Sequence, residues 1–152
     1  VLVLGIGSPF GGDRLGWEAI DGLIELGLTG QFPGHLLVLE KSDRPGTLLL
    51  ERMGGFDSVI LIDALTGGDE PGRVRCLSLD EFDRQASLLS GHGLGVAEAL
   101  ALGEVLGGLP PRLLLLAIEM GTAEGCRPDA PPPELRTETL ESLADQIRRW
   151  LV

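Results

Sequence analysis

The chain has 152 residues, one domain's worth of polypeptide. Its 43% hydrophobic and 23% charged residues argue for a folded globular protein over a disordered one. Twelve basic residues against 23 acidic ones leave a formal net charge of −11. That charge repels phosphate backbones and anionic lipid, so nucleic acid and membrane surfaces are excluded as expected partners.

Val1-Leu2-Val3-Leu4, stopped by Gly5, is a short continuous apolar run and predicts a strand buried on both faces. Leu15, Ala19 and Leu23, with Ile20 and Ile24 beside them, predict a helix ending near Gly27. Leu36 to Leu39 reads as a second strand, and Thr47 to Met53 as a short helix after Pro45-Gly46. Ser58 to Ile62 is a third strand. Val74 to Leu79 alternates more and follows a turn-rich Gly-Gly-Asp-Glu-Pro-Gly segment, which predicts an edge strand. Val96 to Leu106 has helical spacing, Arg112 to Ile118 is a fifth strand, and a proline-rich loop over Pro128 to Pro133 precedes a helix with Leu140, Leu143, Ile147 and Leu151 on one stripe. Glycine is the compositional outlier, with 23 residues at about twice the ~7% average.

Strands alternating with helices predict βαβ units with right-handed crossovers. The expected fold is therefore a single three-layer α/β/α domain over 1–152, built on a five-stranded, mostly parallel twisted sheet. No apolar run reaches the ~20 residues that span a bilayer, and no basic leader precedes the first run. Cys76 and Cys126 are far apart and read as thiols of a reducing cytosol.

Ligands of such sheets bind at the carboxyl ends of the strands. There the sequence places a glycine loop, Gly5-Ile6-Gly7-Ser8-Pro9-Phe10-Gly11-Gly12-Asp13, after strand one, Glu40 after strand two, Asp63 after strand three and Glu119 near the end of strand five. His92, flanked by Gly91 and Gly93, precedes a helix whose N-terminus disfavours the imidazolium form. One neutral imidazole with the carboxylates of Asp13 and Asp63 forms a candidate divalent-metal site, suited to nickel, zinc or manganese and poor for copper(I). The plainer readings are a tight turn capped by Asp13, a turn-forming Asp63 and a loop histidine. The glycine loop also imitates a dinucleotide fingerprint, but Pro9 removes a backbone donor and Asp13 puts negative charge where a pyrophosphate would lie. No nucleophile elbow, zincin motif or Walker loop is present, and neither cysteine has the setting of a nucleophile.

In their order and spacing these motifs resemble the hydrogenase maturation endopeptidases, through nearly the whole chain. Gly5-Ile6-Gly7-Ser8-Pro9 is similar to the family's Gly-x-Gly-Asn-Pro loop, Val59-Ile60-Leu61-Ile62-Asp63-Ala64 to its third strand, and Pro71-Gly72-Arg73-Val74 to its Pro-Gly turn. Ser90-Gly91-His92-x-x-Gly95 with the helix to Leu109-Pro110 resembles its histidine loop, and Ile118-Glu119 its last strand end.

The resemblance implies an endopeptidase that removes the C-terminal extension of a nickel–iron hydrogenase large-subunit precursor. It implies no metal cofactor of its own, because the nickel sensed is the one seated in the substrate. Asp63 and His92 carry over directly as metal-contacting residues. An ungapped count puts the third at Arg14, which cannot bind a cation. A loop shorter by one residue puts it at Asp13, with Asp13-Arg14-Leu15-Gly16 keeping the acid-x-x-Gly spacing. Gly12 then stands in place of the family's first acid, and Ser8 in place of its asparagine. Metal contact would hold the scissile bond in register, and the metal would polarise its carbonyl or deliver hydroxide. Glu40 and Glu119 are candidates to position substrate; no attacking group is assigned. The alternative is a non-catalytic chaperone of a metallocentre precursor, suggested by Arg14 and the missing first acid.

Overall fold

The computed structural model describes residues 1–7, 14–34, 36–43, 46, 48–85, 93–122 and 135–152. In chain order the elements are β1 (Leu2–Ile6), α1 (Leu15–Glu25), a 3₁₀ turn (Leu28–Gln31), β2 (Val38–Ser42), α2 (Leu48–Met53), β3 (Ser58–Leu65), β4 (Val74–Leu77), α3 (Leu79–Arg84), α4 (Gly93–Leu106), β5 (Arg112–Glu119) and α5 (Thr137–Leu151). The five strands form one sheet in the order β2-β1-β3-β5-β4. β1 pairs in parallel with β2 and β3, and β3 with β5, whereas β4 runs antiparallel to β5 at the edge. The mostly parallel five-stranded sheet and the edge position of the Val74 strand are both as the sequence predicts.

β1 and β3 are buried along their whole length because helices cover both faces. Alternation divides their side chains. Leu2, Leu4, Ile6, Val59, Leu61 and Leu65 pack with residues of α2, α3 and α4. Val3, Ile60, Ile62 and Ala64 pack with residues of α1 and α5.

Several boundaries differ from expectation, and they move the site residues. The second strand is Val38–Ser42 instead of Leu36–Leu39, set by its pairing with β1 from Leu2↔Val38 to Ile6↔Ser42. Glu40 therefore lies in mid-strand and does not end it. β3 continues past Asp63 to Leu65, since β5 pairs with it through Leu65↔Glu119. α4 begins three residues before Val96. The Val74 strand stops at Leu77 because Ser78 caps α3, a helix that sequence patterning did not suggest. Its signal, Ser78-x-x-Glu81, is a capping box: Glu81 N–H donates to Ser78 Oγ at 3.2 Å and Ser78 N–H donates to Glu81 Oε2 at 2.8 Å. The expected proline loop at Pro128–Pro133 lies outside the described residues.

α1 reaches the sheet without intervening side chains. A Cβ on Gly5 would stand 2.1 Å from the carbonyl oxygen of Gly16, and one on Gly16 would stand 2.1 Å from that of Ile6 and 2.9 Å from that of Ile62. Two glycines thus let the first turn of the helix lie backbone-to-backbone on the carboxyl ends of β1 and β3.

Gly16→Ala is expected to destabilise the protein by about 3 kcal/mol or more, since backbone cannot give way as a flexible side chain does. Gly30→Ala, where a Cβ meets nothing within 4 Å, should stay within about 0.5 kcal/mol. Urea unfolding compares the two. Hydrogen bonds from the Ser78 backbone and from its hydroxyl hold the Glu81 carboxyl below its ordinary value. A depressed carboxyl contributes stability above the unfolded pKa of ~4.3 and loses it as pH falls through the folded one. The stability gap between the native chain and Glu81→Gln should therefore be present at neutral pH and close progressively in acid.

Candidate functional site

Asp63 is 2% exposed. On β3 it lies between Leu61 and Leu65, on the face covered by α2, α3 and α4. Its Oδ1 accepts a hydrogen bond from Ala64 N–H at 2.8 Å. Its neighbour in register on β5 is Ala117.

The elements around it converge at the carboxyl edge of the sheet. α1 delivers its first turn there from the opposite face through Gly16. The Ser42 carbonyl, at the end of β2, accepts from Gly7 N–H and from Trp17 Nε1–H, both at 3.1 Å, and so ties β2, the end of β1 and α1 together. On the Asp63 face, a Cβ on Gly95 in the first turn of α4 would lie 4.0 Å from the backbone nitrogen of Gly46, beyond the end of β2.

The three strand carboxylates have different surroundings. Glu40 is half-exposed and ion-paired with Arg52 of α2, on a strand two residues short of its end. Glu119 is 1% exposed, and its Oε1 accepts from three backbone N–H groups, Gly67 at 2.7 Å, Gly68 at 3.1 Å and Gly121 at 3.1 Å. It thereby staples the turn after β3 to the end of β5. The turn comes so close that a Cβ on Gly67 would stand 2.7 Å from Glu119 Oε2, an oxygen with no hydrogen-bond partner among the described residues.

Asp13 and His92 lie outside the described residues, as do Ser8, Ser90 and Cys126. Among the described residues no three His, Cys, Asp or Glu side chains come together as a metal site. Arg14 points along α1 to solvent: half-exposed, it pairs with Glu18 at 3.8 Å. Partial burial and then the Glu81 carboxylate push the Cys76 thiol up, away from the thiolate a nucleophile needs. A cavity of about 340 Å³ at the same sheet edge, between Leu15, Pro71, Ile118, Leu135 and Thr139, was not foreseen. Its walls come from four segments distant in sequence, so no local pattern encodes it. No helix among the described residues is long and apolar enough to cross a membrane.

A sheet whose parallel strands present a buried carboxylate at their carboxyl edge, between helices on both faces, defines a three-layer α/β protein with its ligand-facing side at that edge. Residues 24–137 match the family model described as hydrogenase maturation protease. The chain belongs to the hydrogenase maturation protease family. It is 30% identical over 131 residues to the hydrogenase expression/formation protein HupD of Bradyrhizobium diazoefficiens, covering 84% of this chain and 62% of that protein. With HupD of Thiocapsa roseopersicina it shares 30% over 122 residues, 78% of this chain and 53% of that one. The chain thus spans only between about half and three fifths of these curated relatives. In fold it is similar to the hydrogenase maturating endopeptidase HybD from E. coli, with a TM-score of 0.73, 22% identity and coverage of 99% of this chain and 90% of that one. The hydrogenase maturation protease HycI from Thermococcus kodakarensis aligns with a TM-score of 0.63, 22% identity and the same coverage.

Glu119→Ala removes the acceptor of three backbone donors and should cost about 3 kcal/mol or more. Glu119→Gln keeps an oxygen there but loses the charge assistance, and about 1–2 kcal/mol is expected. Denaturant titration of both variants checks the order.

Proposed function

We propose that the chain is a processing endopeptidase that removes the C-terminal extension of a nickel–iron hydrogenase large-subunit precursor, in the cytoplasm, after contacting the nickel already seated in that precursor. The observation that carries the reading is Asp63, a carboxylate kept almost wholly from water at the carboxyl edge, on the face covered by α4. His92 directly precedes Gly93, the first residue of α4. Asp13 is three residues before Gly16, whose backbone rests on Ile6 and Ile62. The segment that leads into α1 is the one from which this reading takes its second carboxylate.

In this reading Asp13, Asp63 and His92 share the nickel of the substrate, and the protein holds none of its own. One imidazole and two carboxylates suit a borderline divalent ion. Contact with a metal fixed in the precursor sets the scissile peptide in register, and such orientation contributes several kcal/mol, roughly, toward the barrier. Hydrolysis then adds water across the peptide bond, giving a new carboxylate on the large subunit and a free amine on the released extension. The outward course of Arg14 speaks for Asp13 over Arg14 as the residue turned to the metal, and against the non-catalytic reading that a cation in the site suggested.

The native chain is expected to trim nickel-loaded precursor and leave the nickel-free form intact. Asp63→Asn, His92→Ala and Asp13→Asn should each lower the trimming rate at least about 100-fold while circular dichroism remains native. Trimming unaffected by Asp63→Asn and His92→Ala would remove those residues from the mechanism. Failure to trim loaded precursor, despite binding it, would make the chain a chaperone.

A further inference from the structure

α4 is apolar well beyond its buried side: apart from Glu98 and Glu104, its residues Gly93–Leu106 are glycine, alanine, valine and leucine. A helix of that composition is ordinarily covered all round. Here Val96, Ala97, Ala99 and Leu100 are buried, whereas Leu102 is 43% exposed, Val105 84% and Leu106 69%. Their i, i+3, i+4 spacing makes one stripe of the exposed three. Beside it, Leu79, Phe82 and Leu100 floor a notch of about 120 Å³ between α3 and α4, rimmed by Asp80, Asp83 and Glu104. None of these rim carboxylates has an ion-pair partner among the described residues.

We propose that this face of α3 and α4 docks the hydrogenase precursor, through a surface that offers an apolar side chain to the notch and lysine or arginine to its rim. The proposal rests on the processing-endopeptidase reading and names where its substrate is held away from the scissile bond. Charge selects the occupant. A second copy of this chain carries the same acidic rim and the same net charge of −11, so self-association through this face would set carboxylates against carboxylates. A basic partner instead neutralises three unpaired charges and is steered toward them. Position selects it too. Val105 lies twelve residues along α4 from Gly93, about 18 Å on a helix, a span that one interface of ~800 Å² per partner covers. A precursor that extends from the sheet edge along α4 meets the exposed stripe within one contact of that size.

The test measures trimming of purified nickel-loaded large-subunit precursor by the native chain, by Val105→Asp, by Leu106→Asp and by the triple variant Asp80→Asn/Asp83→Asn/Glu104→Gln. Circular dichroism verifies each fold. Expected is a KM raised at least tenfold by Val105→Asp and by Leu106→Asp, with kcat within twofold of native. The triple variant should associate several-fold more slowly at low ionic strength, and the difference should vanish near about 1 M salt, where the Debye length is ~3 Å. Unchanged KM in both apolar variants and an unchanged association rate in the triple variant would overturn the docking face and leave the endopeptidase reading standing. A native dimer in sedimentation that Val105→Asp dissociates without altering KM would assign the face to a second copy and overturn it as well. A native chain that neither binds nor trims the precursor would overturn the functional reading, and the docking face with it.

Discussion

The contact on which the molecule's geometry depends is the one between two backbones. Gly5 on β1 and Gly16 on α1 meet with no side chain between them, and the carbonyl oxygens of Ile6 and Ile62 lie against the first turn of the helix. A side chain at either position would lift the helix off the sheet by the thickness of a methyl group. With that separation set, Ala19, Ile20 and Leu23 reach Val3, Ile60 and Ile62 to form one of the two cores. The same contact brings the first turn of α1 to the carboxyl ends of β1 and β3, the side where a parallel sheet presents its ligands.

Three carboxylates on the same sheet show how surroundings, more than residue type, divide the work. Glu40 is drawn to Arg52 on an exposed strand edge and holds α2 to β2. Glu119 spends one oxygen on three backbone N–H groups and holds the turn after β3. Asp63 sits between Leu61 and Leu65, opposite an alanine and under α4. Because Glu119 immobilises the turn directly after β3, Asp63 stands on a strand secured at the end where it faces the site. A site on a strand so held is better placed than one on a free loop.

The two faces of the sheet are covered differently. α5 is amphipathic, with Leu143, Ala144 and Ile147 inside and its charged residues outside. α4, on the other face, continues its apolar composition onto the outer surface. The sequence of α4 is thus more hydrophobic than its place in one chain requires. That excess falls on the outer surface of the helical layer that covers Asp63 and carries the acidic notch.

Local pattern alone was enough to determine the strand-and-helix alternation, the mostly parallel sheet, the edge position of β4 and the grouping of Asp63 and Glu119 toward one edge. Apolar runs and helical spacing are properties of neighbouring residues, and crossover handedness limits how such units assemble. The capping box at Ser78 was also written there, though a short helix with few apolar residues gives little periodicity to notice. Strand register was not, because it is settled by pairing across the sheet. The Leu2↔Val38 alignment moved Glu40 into mid-strand, and the Leu65↔Glu119 alignment carried β3 beyond Asp63. Nor could sequence tell that Glu119 faces three amide donors, that Arg14 turns to Glu18 on the solvent side, or that the outer stripe of α4 is left uncovered. The Glu119 cradle and the bare stripe depend on where distant segments stop, and the Arg14 pair on which side of α1 meets the sheet. Residue order supplies the chemistry available to this protein, and only tertiary packing decides which groups remain to use it.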